Sequence, residues 1–176
     1  MTTEGNPGLG HKFFVILSGK TNGAHQSIVE RLRDCGQTEV DSSEGCDYFL
    51  VFCPIVSRVG TDIHEALSKI SDVKKAILVV MHHTFNPSHT VADSSRQVQK
   101  PNIVLTVDCL FYERELLRCD RNNNSMSEIE KILGVSWVSV KSFNWKHFIK
   151  RFKLPLLIAL IVTFTIIIGA CSIIYI

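Results

Sequence analysis

Short apolar runs alternate with segments whose apolar residues repeat at helical spacing. Residues 13–17, 48–53, 76–81 and 103–107 form continuous apolar runs, and 38–40 predicts a minor strand. Helical spacing appears at 26–35 and 62–70, and again after the capping-box pattern Ser125 to Glu128. Strands that are apolar on both faces and separated by amphipathic helices indicate a parallel sheet covered by helices. The pattern therefore predicts a small α/β domain, Rossmann-like or doubly wound, with four or five parallel strands.

The same pattern divides the chain into four parts. Residues 1–11 predict a flexible N-terminus, 12–134 the α/β domain, 135–153 a linker with a basic collar, and 154–176 an apolar tail. Within the domain, 82–102 reads as a long polar loop with one turn near 94–98.

The tail predicts a transmembrane helix. Residues 154–176 contain no ionisable side chain, and a helix of this length spans about 35 Å, more than the ~30 Å hydrocarbon core of a bilayer. The first residues contain no apolar run typical of a secretory signal. We therefore expect a single-pass, tail-anchored protein whose N-terminal domain lies in the cytosol. A small-xxx-small pair, Thr165 and Gly169, would allow a weak homodimer through the tail.

Charge along the chain supports this topology. Lys141 to Lys153 holds five basic residues and no acid, so residues 1–140 carry 14 basic against 17 acidic side chains. Such a domain does not favour nucleic acid as a partner. The collar cations Lys146, Lys150, Arg151 and Lys153 are typical of the cytosolic flank of a span, where they attract anionic lipid. The lack of basic residues after the span favours endoplasmic reticulum or later secretory membranes over the mitochondrial outer membrane.

Cysteine and histidine spacing predicts no metal site and no cofactor. The six cysteines include no Cys-x-x-Cys pair, and in a cytosolic domain they are expected to be reduced and mostly buried. The pair His82 and His83, followed by His89, lacks the acidic or thiolate neighbours typical of metal ligands.

Ligands of open parallel sheets bind outside the carboxyl ends of the strands, and this rule selects three segments. The first spans 18–23 after strand one, with Ser18, Gly19, Lys20 and Thr21 as candidate ligand-binding residues. A phosphate-binding P-loop is excluded because Phe14 stands where its first glycine is required. A Gly-bracketed turn able to hold an anion remains, with an ordinary strand–helix turn as the alternative.

The second segment lies between the second apolar run and the next helix. It contains Ser57, Arg58, Gly60, Thr61, Asp62 and Glu65. An arginine ahead of a helix N-terminus suits a phosphate or carboxylate. In the structural alternative, Asp62 caps the helix, Arg58 pairs with Asp62, and Glu65 is solvated.

The third segment is the histidine pair after the third run. His82 or His83 could act as a general base or anion partner, and hydrogen-bonded loop histidines are the alternative. No Gly-x-Ser-x-Gly elbow supports a hydrolase triad.

Four segments resemble a family of small teleost proteins, mostly uncharacterised, some of them described as virus- or interferon-induced. They are SGKTNGAH (18–25), CDYFLVFCPIVSRVGTDIHEAL (46–67), ILVVMHHTF (77–85) and VLTVDCLFYE (104–113). The resemblance covers residues 13–133. It implies a part in antiviral response and no settled biochemical activity; the collar and tail look like an addition to the shared domain.

A second similarity, at the level of fold, is to nucleoside deoxyribosyltransferases and nucleotide-cleaving receptor domains. It implies Glu65 as the carboxylate acting on an N-glycosidic bond, with Ser57 and Thr61 as sugar or phosphate contacts and Lys20 as an anion contact. The corresponding enzyme hypothesis places Ser57, Arg58 and His82 or His83 near Glu65. No aromatic platform is evident beside Glu65. Two hypotheses result: a membrane-tethered domain that binds a protein partner or a small anionic ligand, and a membrane-tethered nucleotide or nucleoside enzyme.

Overall fold

The computed structural model describes residues 8–135, which form one sheet with helices on both faces. The strands are β1 (Lys12–Leu17), β2 (Thr38–Glu39), β3 (Tyr48–Pro54), β4 (Lys75–His83), β5 (Ile103–Tyr112) and β6 (Glu115–Leu116). The helices are α1 (Gln26–Asp34), α2 (Val59–Ser68) and α3 (Asp120–Leu133), and a 3-10 turn covers Ser94–Gln97.

The sheet has the order β2-β1-β3-β4-β5-β6, in which only the β5–β6 pair is antiparallel. The register aligns Phe13 with Tyr48, Phe49 with Ala76, and His83 with Phe111. From β1 the chain continues to β2, on one side of β1 in the sheet. From β3 it continues to β4 and then β5, which lie in the opposite direction. The carboxyl ends of β1 and β3 therefore flank the point at which the strand order reverses.

Two apolar cores lie on opposite faces of this sheet. One packs α1 and α3 against alternate strand residues such as Phe52 and Met81. The other packs α2 against the intervening residues, including Val51 and Val80. Every residue of β3 is buried, which explains why its run is apolar on both faces.

The mixed α/β class predicted from the pattern is confirmed, with corrections to its detail. The sheet has six strands rather than four or five, because the short β6 hairpin adds an antiparallel edge. The expected loop at 82–102 is shorter, since β4 continues through His83.

The last helix also begins earlier than the capping box indicates. It starts at Asp120, and Ser125 lies inside it, where its hydroxyl donates to the Asp108 carbonyl at 2.7 Å. The helix ends at Leu133, and the following Gly134 has a left-handed backbone (φ 66°) that suits a residue without a Cβ.

Within residues 8–135, no helix is long and apolar enough to cross a membrane. The expected collar and the span at 154–176 lie outside the described residues, as do the first seven residues of the expected flexible N-terminus.

Candidate functional site

The β3–α2 loop is held together by its own side chains. Asp62 accepts hydrogen bonds from the Val56 and Ser57 backbone N–H groups and from the Ser57 hydroxyl, each at 2.8 Å. Burial raises the pKa of Asp62, but these hydrogen bonds outweigh it and lower the pKa below its ordinary value. Ser57 and Asp62 thus fix the loop, and Asp62 is bonded to Ser57 rather than to Arg58. Arg58 precedes α2 with an exposed side chain.

Glu65 lies on the outer surface of α2. Its carboxylate is 2.9 Å from Lys69 Nζ, which also donates to the carbonyl and hydroxyl oxygens of Ser18. The Glu65 side chain is 61% exposed. Gly60 and Thr61 are exposed in the first turn of the same helix. The arrangement ties α2 to the end of β1 and leaves Glu65 outside an enclosed pocket.

Two polar side chains of the β1–α1 segment bond to each other. Thr21 is buried, and its Oγ1 lies 2.5 Å from Nδ1 of His25. Burial lowers the pKa of His25, so the ring is neutral near pH 7, although Glu39 acts in the opposite direction. Gly19 and Lys20 are exposed on this loop.

His82 belongs to a buried polar cluster rather than to a loop. Its Nε2–H donates to Asp108 Oδ1 at 2.7 Å, and the Ser94 hydroxyl donates to the same oxygen at 2.6 Å. The Ser94 backbone N–H donates to Asp108 Oδ2 at 3.0 Å. Burial acts to raise the pKa of Asp108, but these hydrogen bonds and the adjacent His82 lower it overall. The cluster anchors the long β4–β5 connection to the sheet.

Sequence reasoning missed Asp108 and Ser94. The available signal was a lone acid inside the apolar run 103–112, since a buried carboxylate requires hydrogen-bond donors.

His83 points to the opposite face from His82, toward an aromatic group. Its ring centroid is 5.2 Å from that of Phe111 and 5.3 Å from that of Tyr112. Phe85 meets Tyr112 edge to face, with centroids 6.5 Å apart. Because α2 and Glu65 cover the other face, the structure does not bring Glu65 and His83 together.

Next to these rings lies a cleft of about 360 Å³, lined by Asn22, His83, Glu113 and Arg114. None of these four side chains makes a hydrogen bond or ion pair to another residue of the described range 8–135. Asn22 and Glu113 have φ values of 52° and 50°, and across that range they are the two non-glycine residues with positive φ. Strained backbone of this kind clusters at functional sites. The cleft is therefore our candidate site.

Exposed apolar side chains surround the same end of the sheet. In the described part of the chain, five large hydrophobic residues are exposed: Leu17, Val56, Val73, Phe85 and Tyr112. All except Val73 lie at or just after the carboxyl end of a parallel strand.

The sequence predictions named His83 and included Asn22 within the segment 18–23, but they named neither Glu113 nor Arg114 as a site residue. Asn22, Glu113 and Arg114 lie on turns, and no pattern marks turn residues that meet only through the strand order. Among residues 8–135, no cluster of three or more His, Cys, Asp or Glu side chains could hold a metal ion.

Compared with protein-family models, curated proteins and solved structures, the chain matches none of them.

Proposed function

We propose that residues 8–135 form a binding domain whose site is the cleft of Asn22, His83, Glu113 and Arg114. The observation that carries this proposal is the convergence on one cleft of four polar side chains without described partners. By contrast, Asp62 is hydrogen-bonded to Ser57, and Glu65 is hydrogen-bonded to Lys69.

The chemistry of the cleft favours a small ligand that combines a planar ring with an anionic group. Arg114 offers the planar, bidentate donor suited to a carboxylate or phosphate. The exposed His83 ring, continued by Tyr112, offers a surface for stacking. Asn22 and Glu113 can bind hydroxyl or amino groups. The volume of about 360 Å³ is at the small end of ligand pockets.

The strand order supports the doubly wound form of the fold. The order 2-1-3-4-5 reverses between β1 and β3, and ligands of such sheets bind at the carboxyl ends beside the reversal. Asn22 follows β1 and His83 ends β4, so the cleft lies at this end of the sheet.

We further propose that the domain acts at a membrane. The uncharged segment 154–176 and the collar of Lys146, Lys150, Arg151 and Lys153 support a tail-anchored topology with the domain in the cytosol, in endoplasmic reticulum or later membranes. The resemblance to virus-induced teleost proteins supports a role in innate defence. Resistance of the full chain to carbonate extraction, lost when 154–176 is deleted, would test the anchoring.

The ligand is tested by thermal unfolding of the full chain in detergent micelles with AMP, ADP-ribose, NAD, GTP and free nucleosides. A ligand at 100 times its dissociation constant stabilises by about 2.7 kcal/mol, or roughly 10 °C for a domain of this size. We expect a phosphate-bearing probe to give such a shift, which Arg114→Gln abolishes. Arg118→Gln is the matched control, because Arg118 is exposed nearby but does not line the cleft.

An equal shift in the Arg114→Gln variant would place binding elsewhere, and no shift with any probe would reject the nucleotide class. Turnover of a bound probe that Glu65→Gln abolishes would instead support the enzyme hypothesis.

A protein partner is the second candidate, supported by the exposed apolar side chains at the same edge. Phe85 is 78% exposed and Val73 is 88% exposed at the other end of the sheet. If a partner covers the carboxyl edge, Phe85→Ser should abolish its crosslinking to the full chain in membranes while Val73→Ser leaves it unchanged. Equal effects of the two variants would contradict this candidate.

A further inference from the structure

The outer edge of β5 is only partly covered. β6 pairs with Phe111 and Tyr112 alone. At the residues of β5 that precede this pair, side chains of α3 bond to the strand edge. The Asn122 side chain accepts a hydrogen bond from the Leu110 N–H and donates one to the Leu110 carbonyl, both at 2.7 Å. Ser125 donates to the Asp108 carbonyl. These contacts show that even-numbered residues of β5 direct their backbone groups away from β4.

The next outward-facing residue toward the start of the strand is Thr106. Its N–H and C=O, together with the N–H of Asp108, have no hydrogen-bond partner among residues 8–135. Unpaired groups along a strand edge form a template for another strand. Alternating donors and acceptors at this spacing are what an extended polypeptide supplies.

This open stretch forms the floor of a groove of about 760 Å³. One wall is a helical stripe of α3, at Arg121, Asn124, Ser125 and Glu128. The other wall comes from the segment before β5 and includes Asp93, Ser95, Val98 and Lys100. Five residues of extended chain, about 16 Å, would cover the open stretch from Val104 to Asp108.

The walls carry an excess of available negative charge. Asp93 and Glu128 form no ion pair within the described range, and hydrogen bonds from Ser95 lower the pKa of Asp93. Of the cations, Lys100 is paired with Asp72 at 2.7 Å, whereas Arg121 donates to the Val91 carbonyl at 3.3 Å and keeps its charge, so two unpaired carboxylates face one unpaired cation. A second copy would bring the same two carboxylates to the groove, whereas a basic segment would neutralise them.

We propose that the β5 edge receives an extended, basic segment of a partner protein as a seventh strand beside Thr106. The strand's backbone pairs with Thr106 and Asp108, and its alternate side chains face the two walls. Lysine or arginine residues at those positions meet Asp93 or Glu128. This site is distinct from the carboxyl-end cleft and does not depend on it.

The probe is a seven-residue peptide of alternating valine and lysine, capped at both ends, added to the full chain in detergent micelles. Amide exchange is followed by mass spectrometry and affinity by fluorescence anisotropy. We expect slower exchange at the outward-facing amides of Thr106 and Asp108. Methylating the central backbone nitrogen of the peptide should weaken binding about tenfold or more, because the methyl group removes a strand donor and blocks close approach.

Charge is tested by Glu128→Lys, which should weaken binding of the valine–lysine peptide about tenfold and favour a valine–glutamate peptide. Glu30→Lys is the matched control on another helix, and it should change neither affinity. Equal affinity for the methylated and unmethylated peptides, or for the two charge types, would overturn the proposal.

Two further results would overturn it by naming another occupant. Protection of the Thr106 and Asp108 amides in the free chain at all dilutions would mean that another segment of this chain fills the groove. Protection that grows with protein concentration would mean that a second copy does. Absence of binding at about 1 mM peptide would also reject the proposal.

Discussion

The Asp108 cluster gives the sharpest test of how the long β4–β5 connection is held. Asp108→Ala removes the acceptor of three hydrogen bonds and leaves the His82 ring and both Ser94 donors buried without partners. The Asp108 side chain is only 7% exposed, so water cannot replace the lost carboxylate. Breaking a buried pair of this kind costs about 3–5 kcal/mol. We expect a loss of about that size in the free energy of unfolding.

Two milder variants should lose less unfolding free energy than Asp108→Ala does. Asp108→Asn keeps one acceptor oxygen but turns an amide donor toward the Ser94 N–H, for an expected loss of about 2 kcal/mol. Ser94→Ala removes one donor and leaves the carboxylate with two, for about 1 kcal/mol. Urea unfolding of the full chain in micelles, read by pulse proteolysis, measures all three. A loss below about 0.5 kcal/mol for Asp108→Ala would refute the reasoning.

The same cluster has a defined pH dependence. The pKa of Asp108 is lower in the folded chain, so its stabilising contribution is complete above the unfolded value of about 3.9 and is lost as pH falls through the folded pKa. The stability difference between the native chain and Asp108→Asn should therefore be constant from pH 5 to pH 7 and should narrow below about pH 4. If the stability difference between the native chain and Asp108→Asn stays the same below about pH 4, the charge of Asp108 is not the cause of that difference.

Three further outcomes are expected. Because burial lowers the pKa of His25, stability should fall as pH drops below the unfolded value of about 6.5 until the folded pKa is reached, and His25→Gln should flatten that slope in urea titrations. Gly10→Ala should destabilise strongly, since its φ is 92° and a Cβ would lie 2.4 Å from the Asp47 carboxylate, whereas Gly45→Ala, with open space, should be nearly neutral in the same assay. Burial raises the pKa of Cys109 to about 12, so native chain at pH 8 should resist iodoacetamide there; labelling as fast as in urea would contradict this.

The sheet was predictable from sequence because its information is local. The central strands β3 and β4 are buried on both faces, so the runs 48–53 and 76–81 are continuous and apolar. Strand ends were less predictable: His82 is polar, and only the carboxylate of Asp108 on the neighbouring strand allows β4 to continue through it. The start of α3 was mispredicted at Ser125 for the same reason. The Ser125 hydroxyl donates to the Asp108 carbonyl, far away in the sequence, instead of capping a helix.

The candidate site depended on strand order, which sequence patterns do not specify. The rule that ligands bind outside the carboxyl ends of parallel strands selected both Glu65 and His83. These two residues nevertheless lie on different faces of the sheet. Asn22 and Arg114 belong to turns far apart in the chain, and the cleft exists because β1, β4 and β5 end at one edge. A rule that selects an edge therefore leads to the end of the sheet where the candidate cleft lies, but it does not identify which side chains meet there.

The position of β1 has a consequence for any shortened form of this protein. Although β1 is the first strand within residues 8–135, it lies between β2 and β3. Removing residues up to Leu17 would take out an interior strand, leave β2 without its one described partner, and turn β3, buried at all seven positions, into an unprotected edge. Start sites or cleavage beyond Lys12 would thus yield an aggregation-prone fragment rather than a trimmed domain.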